Sequence, residues 1–355
     1  MSYTRNDILD YIKEEDVKFI RLAFTDPLGV RKNISVMPNE LKDVFGNGIA
    51  IEGNLIFKEE KEEYKKLFLT PDLDTLSVLP WRPSQGRVVR MICHIKEADG
   101  SYYKCDSRKI LVDVCEKLHK LNIDLKFQIK WDFYLFKLDE FGNVTKIPYD
   151  NASYLDVAPL DKGENVRREI CLSLSDMGLN PIASHHEVGP GQNRIYVEET
   201  EAINAADNNI AYITAVKNIA SRNGLYADFS FKPLEKEINN NCLVEIDCGN
   251  NAKKYYENLT NHYSEIELFL KPTTESYHAN LKIKLDGNRI IVETTASNMN
   301  PYIAYALITE AMLDEEKVNV KANSSLFDAI ENAKASKLVS KVLPIELASY
   351  YYNLK

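Results

Sequence analysis

Polar and apolar positions recur with two periods along the chain, and they place its elements. In "TRNDILDYIKEED" the apolar residues Ile8, Leu9 and Ile12 fall at helical spacing, which predicts a short amphipathic helix. Thr4 with Asp7 three residues later predicts a capping box. "VKFIRLAFTDPLGVRKNISVMP" reads as two strands around an Asp26–Gly29 turn. "GRVVRMICHI" and "GSYYKC" read as another strand pair, turned at Ala98-Asp99-Gly100. A small mixed sheet with a helix or two is expected over residues 1–106.

The pattern changes at Ser107. "SRKILVDVCEKLHKLN" carries Ile110, Leu111, Val114, Leu118 and Leu121 on one helical face, with Ser107 as the expected cap. "DLKFQIKWDFYLFKL" alternates as a strand does: Phe127, Ile129, Trp131, Phe133 and Leu135 on one side, Gln128, Lys130, Asp132 and Tyr134 on the other. Further on, helices are expected over 165–177, 203–222, 255–270 and from Tyr302 onward, and strands over 182–187 and 194–198, in "YADFSFKP" and "CLVEIDC", and in a last pair, "ANLKIKL" and "RIIVET". The fold class that follows is α+β, a large antiparallel sheet backed by helices over 107–355.

With 355 residues, two domains are the default. A net charge of −9 without a basic stripe argues against nucleic acid. The six cysteines make no CxxC and read as reduced thiols, so a cytoplasmic protein is expected. The N-terminus has no apolar signal-peptide core, and no run approaches the ~18 apolar residues of a membrane span.

The stretch "ASHHEVGPGQNRI" (183–195) concentrates candidate chemistry. Adjacent residues on a strand face opposite sides, so His185 and His186 are expected to be structural rather than to share a metal. "GPGQ" lacks the lysine and following helix of a phosphate loop and is expected to be a tight turn.

Several segments, in order along most of the chain, resemble the glutamine synthetase family: "VKFIRLAFTDPLGVRKNISV", "TPDLDTLSVLPW", "YLDVAPLDKGENVRREI", "ASHHEVGPGQN", "ADNNIAYITAVKNIASRNGLYADFSFKPL", "KPTTESY" and "NPYIAYALITEAML". The resemblance implies a β-grasp N-terminal domain, a larger catalytic-type domain and a ring-type homo-oligomer. It also implies joining of glutamate to ammonia at the expense of ATP, with two or three Mg or Mn ions held by hard oxygen ligands.

Carried over by residue, that resemblance meets departures. The Glu-x-Glu strand holds Lys130 and Asp132, the His-Glu motif keeps Glu187, Arg194 replaces the acid of Gly-Gln-x-Glu, and Leu243 stands at the ligand histidine with Glu245 two residues on. Over the first five positions the charges sum to zero, and a unit cation about 4 Å from a divalent ion costs several kcal/mol even at an effective dielectric of ~20. Lys130 and Arg194 are therefore expected to pair with Asp132 and Glu187, or to bind an anion, where the family holds metal. Ala279 stands at a substrate-binding arginine position, and the chain is shortened after Tyr277. Arg289 in "GNRI" is the candidate nucleotide contact, and Glu52 in "EGNL" is the candidate ammonium contact.

These departures predict a protein that has lost glutamine synthesis and serves as an oligomeric structural or regulatory component of nitrogen metabolism, partnered by itself, a genuine synthetase or other nitrogen-metabolism proteins, with no cofactor. The alternative is a divergent ligase, dependent on ATP and Mg or Mn, that joins glutamate or another carboxylate to ammonia or an amine. A sensor of a small anionic metabolite is the third reading.

Overall fold

The computed structural model describes residues 3–57, 65–82, 85–272, 283–294, 299–318 and 322–354. The chain divides into two compact units, Met1–Ile110 with Asp176–Gly178, and Leu111–Ser175 with Leu179–Lys355.

The first unit opens with α1 (Arg5–Glu14), whose capping box is formed as the sequence predicts: the Thr4 hydroxyl accepts from the Asp7 amide and the Asp7 carboxylate accepts from the Thr4 amide. There follow β1 (Val17–Thr25), β2 (Arg31–Val36), α2 (Leu41–Asn47), β3 (Ile49–Glu52), α3 (Gly53–Phe57), β4 (Lys66–Pro71), β5 (Ser77–Val78) and β6 (Arg87–Lys96). They form a six-stranded sheet in the order β2-β1-β6-β4-β3, with β5 on β6. The β1–β6 pair is parallel and the others are antiparallel. The Asp26 carboxylate closes the β1–β2 turn by accepting from the Leu28 and Val30 amides. One expected strand does not form: after β6, "GSYYKC" makes a single bridge, Lys96 to Tyr102. The Ile95 amide is instead bonded to the Asp106 carboxylate.

In the second unit come α4 (Ser107–Lys120), β7 (Lys126–Leu138), β8 (Val144–Pro148), α5 (Glu164–Asp176), β9 (Pro181–His186), β10 (Gln192–Val197), α6 (Ala202–Arg222), β11 (Leu225–Asp228), β12 (Cys242–Asp247), α7 (Ala252–Leu270), β13 (Ile283–Asp286), β14 (Arg289–Thr294), α8 (Pro301–Leu313), α9 (Leu326–Ala335), α10 (Lys337–Val342) and α11 (Ile345–Tyr352). Helix α4, which straddles the boundary, is capped by Asp106, not by Ser107: the Asp106 carboxylate accepts from the Arg108 and Lys109 amides. A carboxylate also complements the positive end of the helix better than a hydroxyl does.

The second sheet has eight strands in the order β13-β14-β12-β7-β10-β9, with β8 and β11 also on β7. Every pairing in it is antiparallel. Helix α6 packs on β7 and β11, α7 packs on β13 and β14, and α8 lies against both helices. All but one of the α8 residues are buried, as an element apolar on every side requires. Phe127, Trp131 and Phe133 of β7 turn to this helical layer, where they meet Tyr305 and Phe229. The opposite side of β7 carries Gln128, Lys130, Asp132 and Tyr134. From Trp131 to Phe136, however, both sides are buried, because neighbouring strands and the segment before β12 cover Asp132 and Tyr134.

Candidate functional site

The alternation of β7 puts Gln128, Lys130 and Asp132 on the face away from the helices. Register supplies their neighbours. Arg194 of β10 stands opposite Asp132 and Tyr196 opposite Lys130. On the other flank Leu243 of β12 is opposite Lys130 and Glu245 opposite Gln128. His185 of β9 lies beyond Arg194.

These side chains form a connected charged cluster. Arg194 donates through Nε to Asp132 Oδ1 at 2.6 Å and through Nη2 to Asp132 Oδ2 at 3.0 Å. Its Nη1 lies 3.1 Å from Glu187 Oε1 and donates to the Tyr196 hydroxyl at 3.3 Å. Lys130 Nζ donates to Glu245 Oε1 at 2.5 Å. The Asn241 amide donates to Asp132 Oδ2 at 2.9 Å. Both cations sit near the Tyr196 ring, Lys130 Nζ at 5.5 Å and Arg194 Cζ at 5.8 Å from its centroid. Asp132, Glu187 and Glu245 are buried. Burial pushes the Glu187 carboxyl above its usual range, against the opposing pull of Arg194. Burial alone would lower the Arg194 guanidinium, but the bonds and charge of Asp132 outweigh it and hold it above its ordinary value.

The sequence expectation was that the two cations pair with Asp132 and Glu187. In the structure Arg194 takes both of these acids and Lys130 takes Glu245. Each carboxylate is thus bonded to an internal cation. Two unit cations in this position raise the energy of a divalent ion by roughly 4 kcal/mol per charge pair at an effective dielectric of ~20. The donor set as arranged does not fit the resident Mg or Mn that the resemblance implies.

A tight turn carries Glu187 into this cluster. The Glu187 amide donates to the Gln192 carbonyl, and the Gln192 side chain accepts from the Gly189 amide at 3.0 Å. Gly189 is required there, since a Cβ would lie 2.1 Å from the Tyr134 hydroxyl. Gly191 has φ +69°, the left-handed region that glycine enters freely. "GPGQ" is therefore a turn between strands.

Beneath the turn is a network that sequence reasoning missed. His186 is fully buried; its Nε2 lies 2.9 Å from Asp150 Oδ1 and its Nδ1 2.7 Å from the Glu187 carbonyl. Asp150 also accepts from the Gly191 and Lys162 amides. Arg167 bonds both oxygens of Asp161 and Asn193 Oδ1. Asp150, Asp161 and His186 bring ligand-type atoms within 4.8 Å of one another, but these internal bonds already occupy them. No spacing rule links Asp150 to His186, which are 36 residues apart. Only His186 falls within the family-like segments; Asp150 lies just before one of them, so nothing in the sequence pointed to the pair. His185 points the other way, with Nε2 3.7 Å from Glu187 Oε1 and the Tyr154 ring edge-on at 5.4 Å.

The other candidates lie elsewhere. Arg289 of β14 pairs with Glu199 at 2.6 Å and Asp247 at 3.3 Å, so its charge is engaged by carboxylates. Glu52 is exposed at the end of β3 in the first unit. Tyr277 and Ala279 lie outside the described residues. None of the described helices is long and apolar enough to cross a membrane.

Two family models match: the glutamine synthetase β-grasp domain over residues 16–98 and the glutamine synthetase catalytic domain over residues 104–281. Among curated relatives, a glutamine synthetase of Clostridium saccharobutylicum is 31% identical over 405 residues, covering 96% of this chain and 91% of its own. A glutamine synthetase of Staphylococcus aureus is 40% identical over 234 residues, covering 66% of this chain and 52% of its own. Of solved structures, ligand-free GmaS superposes with a TM-score of 0.85 at 22% identity, covering 98% of this chain and 94% of that one. Plasmodium falciparum glutamine synthetase superposes with a TM-score of 0.83 at 16% identity, covering 99% and 95%. These two likenesses speak for the fold. The curated relatives overturn the expectation of a non-catalytic structural or regulatory protein: a chain named glutamine synthetase aligns along nearly the whole length, whereas that expectation rested on a handful of positions. The lead expectation of no cofactor falls with it.

Proposed function

Because the chain belongs to the glutamine synthetase family, we propose that it is a divergent ATP-dependent ligase joining the carboxylate of glutamate, or of a related acid, to ammonia or an amine. The observation that carries this reading is the 31% identity to a glutamine synthetase over 96% of this chain and 91% of that one. A GmaS–ADP complex with the same fold, at a TM-score of 0.84, is in keeping with a nucleotide as co-substrate. Mg or Mn is expected as the counter-ion of that nucleotide.

In such a reaction a carboxylate oxygen attacks the γ-phosphorus and ADP leaves. The amine nitrogen then attacks the acyl carbon, phosphate departs and the nitrogen gives up a proton. Positive charge is needed near the phosphoryl group and a base is needed near the amine. On the face described above Arg194 and Lys130 are paired with Asp132, Glu187 and Glu245, so their role is to fix those acids in place. Glu187, whose affinity for a proton is raised by burial, is the acid suited to receive the proton. No step is assigned to a resident divalent ion, because the donors present do not fit one.

Self-association accompanies this proposal. Leu155, Val157, Leu160, Leu172 and Ile182 are each more than half exposed, and Leu155, Val157 and Leu172 border a cleft of about 630 Å³ that also includes His185. Clustered apolar exposure of this kind supports an interface between copies.

The direct test incubates the purified protein with ATP, Mg and glutamate, and with ammonium, methylamine or hydroxylamine in turn. ADP release that requires both acid and amine is the expected result. ADP at background with every amine would refute the ligase reading.

A further inference from the structure

We propose that Arg194 and Lys130 are the resident cations of this sheet face. They hold Asp132, Glu187 and Glu245 where three buried carboxylates would otherwise attract a divalent ion, and the face takes up no Mg or Mn of its own. The inference deepens the ligase reading and rests on it for its catalytic consequence alone. If turnover occurs, the divalent ion enters with the nucleotide, and free ion beyond that needed to saturate ATP gives no further activation.

Two carboxylates on adjacent strands, Asp132 and Glu245, and a third, Glu187, on the turn after β9 are a hard-oxygen donor set of the kind that divalent ions select. Each of the three already faces a fixed cation, however. Both Asp132 oxygens face the guanidinium fork, and the second also accepts from the Asn241 amide. Glu187 Oε1 faces the same guanidinium at 3.1 Å and His185 Nε2 at 3.7 Å. Glu245 Oε1 faces Lys130. A guanidinium stays charged at any pH the protein survives, so Arg194 cannot vacate the site by losing a proton. Its planar fork fits one carboxylate in two bonds and leaves a third N–H for the next, a geometry that lysine does not reproduce. The neighbours favour cations as well: the Tyr196 ring is shared by the two side chains, and its hydroxyl accepts from Arg194. Two cations against three acids leave the cluster one negative charge, too little to draw in a divalent ion against two fixed positive charges.

The experiment is a titration of the nucleotide-free protein with Mn alone, read by calorimetry and by the electron paramagnetic resonance signal of free Mn. Wild type is expected to show no stoichiometric binding tighter than about 100 μM. The Lys130→Glu/Arg194→Glu double variant is expected to gain at least one Mn site tighter than that, with a melting temperature that rises on adding Mn. If the variant is unfolded without metal, folding on addition of Mn supports the proposal equally. Stoichiometric Mn binding by wild type overturns it, as does a folded double variant with no gain, or an unfolded one that Mn does not restore. The ligase reading is judged separately, by ADP release with Mg present, so the failure of one is not mistaken for failure of the other.

Discussion

Arg194 and Asp132 face each other across the β10–β7 ladder and are joined twice, Nε to Oδ1 at 2.6 Å and Nη2 to Oδ2 at 3.0 Å. A buried pair broken on one side leaves an uncompensated charge. Replacing Arg194 with Met strands Asp132 and Glu187 together and is expected to cost about 3–5 kcal/mol of stability in urea unfolding. Adding Asp132→Asn removes one stranded charge and is expected to restore part of that loss. A double variant as unstable as the sum of the singles would show that the pair is not coupled.

Glu187 carries the opposite signature. Its carboxyl is raised in the folded state, so the native protein binds the proton more tightly than the unfolded chain does. Ionisation then costs stability as pH rises from about 4.3, the unfolded value, through the folded one. Glu187→Gln is expected to melt no lower than wild type at pH 7 and to lose any advantage near pH 4. In the ligase assay the same variant is expected to lose about 100-fold or more in ADP release. Full activity in a stable Glu187→Gln protein would remove Glu187 from the chemistry.

The Asp150–His186 pair predicts two pH windows. For Asp150, burial acts to raise the carboxyl, but the His186 bond and backbone amides outweigh it and hold it low. Its contribution is present above the unfolded value of about 3.9 and is lost as pH falls through the lower folded value. For His186, burial acts to lower the imidazole, but the Asp150 bond outweighs it and holds it high. That contribution is full below about pH 6.5 and is lost as pH rises through the folded value. Asp150→Asn is expected to flatten both flanks of the stability–pH curve. An unchanged curve, measured by melting from pH 3 to pH 9, would show that the pair is not ionised.

Gly189 has no space for a methyl group beside Tyr134. Gly189→Ala is expected to cost about 1–3 kcal/mol through overpacking. Because the Tyr134 hydroxyl donates to the Ile238 carbonyl, the clash also pulls on the segment before β12. Combining Tyr134→Phe with Gly189→Ala removes the nearest atom and is expected to recover part of the loss in thermal melts. No recovery would place the strain in the backbone turn instead.

What this sequence determined by itself is local. The α1 cap, the turn after β1, the strand period of β7 and the helical layer were legible because each depends on residues a few positions apart. The same alternation placed Lys130 and Asp132 on one face before any partner was known. Single positions misled where neighbours in space competed: Asp106 took the cap expected of Ser107, and "GSYYKC" formed a bridge rather than a strand. The expectation that synthesis was lost erred similarly, setting a local charge count above a likeness that runs along the chain. Only the tertiary structure decided which charges meet. Lys130 and Glu245 are 115 residues apart, and Arg194 and Asp132 are 62 apart. Register on either flank of β7, set by burying alternate side chains against the helices, puts Arg194 opposite Asp132 and Leu243 opposite Lys130, which leaves Lys130 to reach Glu245.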